Sequence, residues 1–368
     1  MTPRVLDLRI KSFFSIWGVL YVAPWLIVLL SVFAICNFAV AQKTPMQRPD
    51  GQIEPTYKSQ PLSHWIEVLN GGHFSSKFWP DINEIEGGAE AQQALEHIGG
   101  FAVPFLLERI PERGAMVAFR VLGPRARSAI PELVAMTTNE IAAAPALETS
   151  RHGVSAIGWY PMQVLGWIGP DALPALSIFL TNYNDPGVRF SAVMAVGSMG
   201  TNGLPALPAV FPCVKDGNEM VAREAINVLG LMGRDASVFQ ALTDALQLRP
   251  DLKSETLEGL ANLGEEAVPI IARELPKARS GTKYAIGNIF IEKSPQVLTN
   301  RALLAVVSTQ LQSEDSDDRD WAALMLRAAD AQSRGQRPRP LWDAVGGWAE
   351  ARANSTNVLH RLAPELGR

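Results

Sequence analysis

The amino-acid sequence predicts an all-α protein, an α-solenoid of stacked helical hairpins that follows an N-terminal transmembrane helix. Three observations carry the prediction. No charged residue occurs from Ser12 to Gln42. An apolar stripe closed by glycine recurs at intervals of 31–33 residues through the middle of the chain. A second apolar run, opened by proline, follows several of those glycines.

The uncharged stretch places a signal anchor or signal peptide at residues 1–41, with the transmembrane part at 13–38. At about 1.5 Å per residue such a helix crosses roughly 30 Å of hydrocarbon. Trp17, Tyr21 and Trp25 suit an interfacial anchor, and Pro24 is tolerated in a membrane helix. Ala39-Val40-Ala41 is an A-x-A cleavage pattern, so a secretory signal cut after Ala41 is the alternative. The apolar stretch exceeds an ordinary signal-peptide core, which favours the uncleaved anchor. Cys36 follows Ile35 rather than the small residue of a lipoprotein signal, and reads as an apolar membrane residue. Arg4, Arg9 and Lys11 before the span are nearly balanced by Lys43, Arg48 and Lys58 after it. The short N-terminal tail and the A-x-A pattern point to N-inside, with residues 42–368 on the periplasmic side. Residues 42–56 carry Pro45, Pro49, Asp50-Gly51 and Pro55 without a helical period, and read as a proline-rich tether.

The repeat occupies residues 57–353, with 354–368 as a closing segment. Val188, Ala192, Val196 and Met199 lie at i, i+4, i+8 and i+11, one stripe of an α-helix, and Gly200 follows. Shifted by 33, Val221, Ala225, Leu229, Met232 and Gly233 take the same places. Shifts of 31 in either direction give Ile157, Leu165, Ile168 and Gly169, and Leu252, Leu260, Leu263 and Gly264. Ala192 and Ala225 are small enough for neighbouring helices to approach closely. The glycines sit where a left-handed residue ends a helix at little steric cost. A second helix then opens on Val103-Pro104, Ile130-Pro131, Leu173-Pro174, Leu204-Pro205 and Val268-Pro269. Proline in a first turn forfeits no intrahelical bond. Asn184-Asp185-Pro186-Gly187 turns the chain into the next stripe helix.

Leu173-Pro174-Ala175-Leu176, Asn184 to Arg189 and Ala195 to Gly200 together resemble HEAT repeats, in particular the short bacterial HEAT-like type. Tyr57 to Trp65 followed by Ala94 to Gly99 is similar to the opening of membrane-tethered bacterial HEAT proteins. The resemblance spans roughly residues 57–330 and implies the fold more sharply than a function, because the family includes scaffolds, adaptors and a few enzymes. Departures from the period are informative. Gly123 to Gly169 is 46 residues, and the excess lies near Thr137 to Ser155, either a longer helix with a slack loop or a partner-touching loop. Beyond Gly264, Ile286, Ile289 and Ile291 carry a stripe, with Ser294 in place of the glycine. Helices are expected near Val297–Leu311 and Trp321–Ala329. Arg334 to Pro340 breaks the pattern, and Leu341–Arg352 and Val358–Leu366 read as closing helices.

The sequence contains no dinucleotide, P-loop, nucleophile-elbow or H-E-x-x-H motif. Two cysteines and five scattered histidines exclude a disulfide framework and leave little for a structural zinc site. His64 and His73 bracket a helix end, where solvated or capping roles outweigh a metal pair. Cys213 reads as a buried thiol within an apolar helix, with no charge pair beside it. Ser313 to Asp320 lacks the glycine and glutamate of a calcium loop, so its acids belong to a helix N-terminus. Net charge is −4, which argues against a general nucleic-acid binder despite the cluster Arg109, Arg113, Arg120, Arg125 and Arg127. No catalytic, cofactor-binding or metal-binding residue emerges, and no cofactor is implied.

The sequence therefore points to a non-catalytic membrane-tethered scaffold that binds another protein or a peptide on its concave face. Trp159, Tyr160, Trp167, Arg120, Arg189 and Arg223 are the candidate contact residues. A lyase-type enzyme acting on a chromophore-carrying protein, as the resemblance allows, and a purely structural spacer are the alternatives.

Overall fold

The computed structural model describes residues 51–71, 82–143, 158–182, 185–341, 348–364 and 366. The predicted span 13–38, the A-x-A pattern, Cys36, His73, His152, Asn184 and most of the 137–155 insertion lie outside the described residues. Among the described residues no helix is long and apolar enough to cross a membrane. The protein is nearly all helical, and the chain divides into two compact units. One runs to Phe105 and takes in Glu112–Ala118; the other holds Leu106–Pro111 and everything from Phe119 onward.

The first unit opens on a feature absent from the sequence reading. Strands β1 (Thr56–Tyr57) and β2 (Gln60–Pro61) pair antiparallel across Lys58 and Ser59, which both take positive φ, as a type I′ two-residue loop requires. Helix α1 (Leu62–Asn70) follows and packs on α2 (Gly88–Ile98), burying Leu62, Trp65, Ile66 and Leu69 against Ala91, Ala94 and Leu95. The end of the expected tether is part of this unit. Glu54 is 2% exposed, and its carboxylate accepts hydrogen bonds from the Ser63 amide and, at 3.1 Å, from the Ser63 hydroxyl. It thereby caps the N-terminus of α1, whose own preceding residue, Pro61, offers no side-chain cap. The Gly114 amide donates to Asn70 Oδ1 at 2.6 Å. The boundary between units divides α3 (Val103–Leu107) and α4 (Arg113–Leu122).

The second unit is the repeat. Helix α5 (Ile130–Ala143) packs on α6 (Trp159–Ile168), and α7 (Leu173–Asn182) returns along α8 (Pro186–Gly197). The chain continues through α9 (Leu207–Val210), α10 (Glu219–Leu231), α11 (Ala236–Leu248), α12 (Lys253–Leu263) and α13 (Val268–Glu274). It ends with α14 (Ser280–Lys293), α15 (Arg301–Gln310), α16 (Ser316–Ser333) and α17 (Trp348–Leu362). Helices α6, α8, α10, α12, α14 and α16 each pack on the next and form one layer. The layer is close-packed at glycine. A Cβ added to Gly166 would lie 2.5 Å from the Ala195 oxygen, one on Gly197 2.6 Å from a Val228 methyl, and one on Gly230 2.7 Å from the Gly259 Cα. Asx side chains start five of the helices: Asp185 (α8), Asn218 (α10), Asp235 (α11), Asn300 (α15) and Asp315 (α16) each accept from an amide of the following first turn.

The stripe glycines all have positive φ, but several leave the left-handed helical well. Gly169 lies at φ 91°, ψ −146° and Gly264 at φ 79°, ψ −130°, backbone that L-residues rarely adopt. The flipped peptide lets a 3-10 turn begin at once, as in Pro170–Ala172 before α7. Four of the five proline entries open helices as expected, at Val103, Ile130, Leu173 and Val268. Leu204-Pro205 does not; it lies inside a 3-10 segment, Gly200–Ala206, and the helix opens three residues later on Leu207-Pro208. Pro212 then ends that helix after one turn, so Cys213 sits in a 3-10 segment, Phe211–Lys215, rather than an apolar helix. Ile289 is half-buried, and the buried face of α14 runs through Lys283, Ile286, Gly287 and Phe290. The two expected closing helices are, where described, one helix, α17, which runs through the expected boundary at 353/354.

Polar groups close the core at this end. Lys283 is 2% exposed; its ammonium donates to Gln310 Oε1 at 2.7 Å and pairs with Asp318. Trp321 Nε1 donates to the Lys283 carbonyl at 2.8 Å. The acids of Ser313–Asp320 thus serve α16 as N-cap (Asp315) and as counter-ion to a buried lysine (Asp318).

Val196 is fully buried. Val196→Asp is expected to lower stability by several kcal/mol, since a carboxylate there has no partner. Gly200 has φ 56° and open space around it, so Gly200→Val is expected to cost about 1–2 kcal/mol through backbone strain alone. Circular dichroism melts check both; a Val196→Asp melt equal to wild type would show the stripe register to be wrong.

Candidate protein-binding face

The stripe helices bury one side against their hairpin partners and leave the other toward solvent. On α6 that side shows Trp159 and Tyr160, and on α8 it shows Phe190 and Met194. Trp159 and Phe190 stack with centroids 6.3 Å apart and planes 20° apart, and Tyr160 is 41% exposed. On α10 and α12 the same side becomes charged and polar, with Arg223, Glu224 and Asn227, then Glu255, Glu258 and Asn262. Burial raises the Glu224 carboxyl pKa, partly offset by the Asn227 amide. Burial and the neighbouring Glu255 raise that of Glu258. Both carboxylates are held where full hydration is denied and a cation would be welcome.

The candidate arginines fall into two kinds. Arg189 forms a two-pronged pair with Asp216, Nε to Oδ2 at 2.6 Å and Nη2 to Oδ1 at 2.9 Å. Asp216 also accepts from the Asn218 amide at 2.9 Å, so the pair ties α8 to the turn that opens α10. Burial pushes the Asp216 carboxyl up, but the Arg189 and Asn218 hydrogen bonds outweigh it and hold the pKa below the usual value. Arg223 repeats the arrangement one hairpin on, donating to Glu255 at 3.0 Å and pairing with Glu219. Arg249 donates to the Val214 and Asp216 carbonyls at 3.1 and 3.4 Å. Arg120, by contrast, is exposed in the last turn of α4 and makes no ion pair or hydrogen bond among the described residues. Trp167 is half-buried near the far end of α6, about 12 Å along the axis from Trp159. The structure thus brings together Trp159 and Tyr160, adds Phe190, Glu224 and Glu258, and ties the heads of Arg189 and Arg223 to carboxylates of the chain.

Chemistry elsewhere is sparse. Cys213 is buried, donates weakly to the Ala209 carbonyl at 3.6 Å, and has its pKa pushed up to about 11. Burial is the main cause; Asp216 adds to it and Arg189 opposes it. A charge pair does stand beside this thiol, supplied from 24 residues upstream and three downstream, and the thiol stays protonated at neutral pH all the same. His64 packs edge-on against Trp65 at 4.8 Å. Among the described residues no group of three or more His, Cys, Asp or Glu side chains is placed to hold a metal ion. In the insertion, α5 runs to Ala143, and Glu140 accepts from the Gly158 amide at 2.8 Å where the described chain resumes.

No protein-family model matches the chain, and no curated protein matches it. Solved structures show a distant likeness. An engineered protein from a structural-genomics programme is 15% identical with a TM-score of 0.36, over 83% of this chain and 86% of the other. A chain from the Pds5-Scc1 complex, solved for its implications for cohesin function, is 10% identical with a TM-score of 0.38, over 83% of this chain and 56% of its own. Human deoxyhypusine hydroxylase in complex with glycerol is 18% identical with a TM-score of 0.28, over 75% of this chain and 99% of its own. The helical-repeat fold rests on the hairpin geometry above.

The depressed Asp216 pKa makes a signed prediction. Its share of stability is complete above the ordinary aspartate value, about 3.9, and is lost as pH falls through its lower folded value. Asp216→Asn is expected to melt below wild type at neutral pH, and the gap is expected to close as pH falls below about 4. Thermal melts across that range check it.

Proposed function

We propose that the chain is a non-catalytic, membrane-tethered scaffold of the HEAT-like type, which binds another protein or an extended peptide along the outward side of α6, α8, α10 and α12. The observation that carries this reading is the joining of an aromatic cluster to half-buried carboxylates on consecutive helices of one layer. Trp159, Tyr160 and Phe190 supply rigid apolar area, which is the usual material of binding hot spots. Glu224 and Glu258 supply negative charge whose hydration is already reduced, so a cationic side chain meets a smaller desolvation cost there. The partner segment that fits presents an apolar anchor and a lysine or arginine a few residues away. The uncharged stretch from Ser12 to Gln42 supports a tether that holds this face at a membrane surface.

Pull-down with the full chain in detergent, from envelope extract, tests the binding face. A partner captured by wild type is expected to be lost from Tyr160→Ala with Phe190→Ala, and weakened by Glu258→Gln. Capture unchanged by all three substitutions would overturn the assignment of this face. A C-terminal alkaline phosphatase fusion is expected to be active if residues 42–368 lie outside the cytoplasm. An inactive phosphatase fusion alongside a working cytoplasmic reporter would reverse the topology.

A further inference from the structure

Helices α16 and α17 pack on one another at the end of the second unit, and an open cleft of about 520 Å³ lies between them. The alanines and the leucine beneath it are buried, so what the cleft offers a ligand is mainly charge and carboxamide. Arg352 pairs with Asp320 and Arg361 with Asp330, offsets of 32 and 31 residues, so the two helices run parallel. On α17, Glu350, Asn354, Asn357 and Arg361 lie at i, i+4, i+7 and i+11, one exposed line along the cleft. On the α16 side, Arg327, Asp330 and Arg334 stand toward the Arg361 end. Arg334 Nη2 meets Asp330 Oδ2 at 2.7 Å, and Arg361 takes the other oxygen. The cleft is therefore polarised. It has a carboxylate at one end, two carboxamides in the middle, and three guanidiniums around a single carboxylate at the other. The side chains of Arg327, Glu350, Asn354 and Asn357 make no ion pair or hydrogen bond among the described residues.

We propose that this cleft binds a short polar peptide in extended form, its free carboxylate at the arginines and its free amine at Glu350. The spacing sets the length. Glu350 is eight residues from Val358, which the offset puts level with Arg327, and eleven from Arg361, about 12 and 16 Å along the axis. Extended chain covers that span in about four residues. The peptide carboxylate matches the planar fork of Arg327 and the N–H groups that Arg334 and Arg361 do not spend on Asp330. The amine meets Glu350, which has no cation of its own among the described residues. Asn354 and Asn357 each carry an acceptor and two donors, the complement of main-chain N–H and C=O. A simple anion would leave Glu350 and both carboxamides unused, and a simple cation would meet three guanidiniums. Asp330 holds two of the arginines in place beforehand, so little of their side-chain freedom is lost on binding.

Isothermal titration calorimetry on the full chain in neutral detergent tests the site, with tetraglycine, its N-acetyl and C-amide forms, and diglycine as probes. Saturable binding of tetraglycine is expected, and capping either end is expected to weaken it by roughly tenfold or more. Diglycine, too short to reach from Glu350 to the arginines, is expected to bind more weakly. Arg327→Ala and Glu350→Gln are each expected to weaken tetraglycine by about tenfold while leaving the thermal melt unchanged, since both side chains are exposed. Glu350→Gln is expected to leave the affinity for the N-acetyl form as it was, because that form has no charged amine to lose. Failure of tetraglycine to bind would overturn the proposal. So would equal affinity for the free and capped peptides, diglycine binding as tightly as tetraglycine, or wild-type affinity in both variants.

Discussion

The second unit depends on close approach between the stripe helices. Glycine at 166, 197 and 230 lets backbone meet backbone or a neighbour's side chain with no room for a methyl group. At that distance each helix buries Val188, Val196, Val221, Leu229, Leu257 or Leu260, and the layer becomes one continuous core. The same constraint fixes what is shown to solvent. With one face pressed into the hairpin and the flanks taken by neighbouring helices, only a narrow strip of each stripe helix remains, and Trp159, Phe190, Glu224 and Glu258 stand on it.

Close approach also explains the ion pairs. A guanidinium leaving α8 finds the turn before α10 within reach, and a two-pronged bond to Asp216 fixes the entry angle of the next helix. Arg223 does the same toward α12 through Glu255. Such ties are partly buried and geometrically demanding, which gives them directional value that a solvated pair lacks.

The repeat was legible because it is local: an i, i+4, i+8 stripe, a glycine, a proline and an Asx cap all lie within one hairpin. What depended on distance was not. Glu54 caps α1 from nine residues before Ser63, across a turn that nothing in the tether's composition announces. Leu204-Pro205 resembled the other entries, but Pro208 and Pro212 follow it so closely that the helix shifts and shortens. Of the candidate face, Trp159 and Tyr160 were legible as an aromatic pair. Phe190 was hidden inside the best-conforming repeat segment, where it passed for a spacer between stripe positions. Glu224 and Glu258 were ordinary acids until burial on adjacent helices distinguished them.

Arginine draws the clearest line between architecture and recognition in this chain. Arg189, Arg223 and Arg249 all carry full charge, yet each finds carboxylate or carbonyl oxygens within the unit. Their substitution acts through packing between hairpins, so a lost partner would say little about contact. Arg120 and Arg327 are different, being exposed with no acceptor among the described residues. Sequence spacing cannot separate these two kinds, because the acceptors that tie one hairpin to the next lie 27 to 35 residues away. The distinction exists only once helices are stacked, and it separates the guanidiniums that hold hairpins together from those, such as Arg120 and Arg327, that among the described residues stand at the surface without an acceptor.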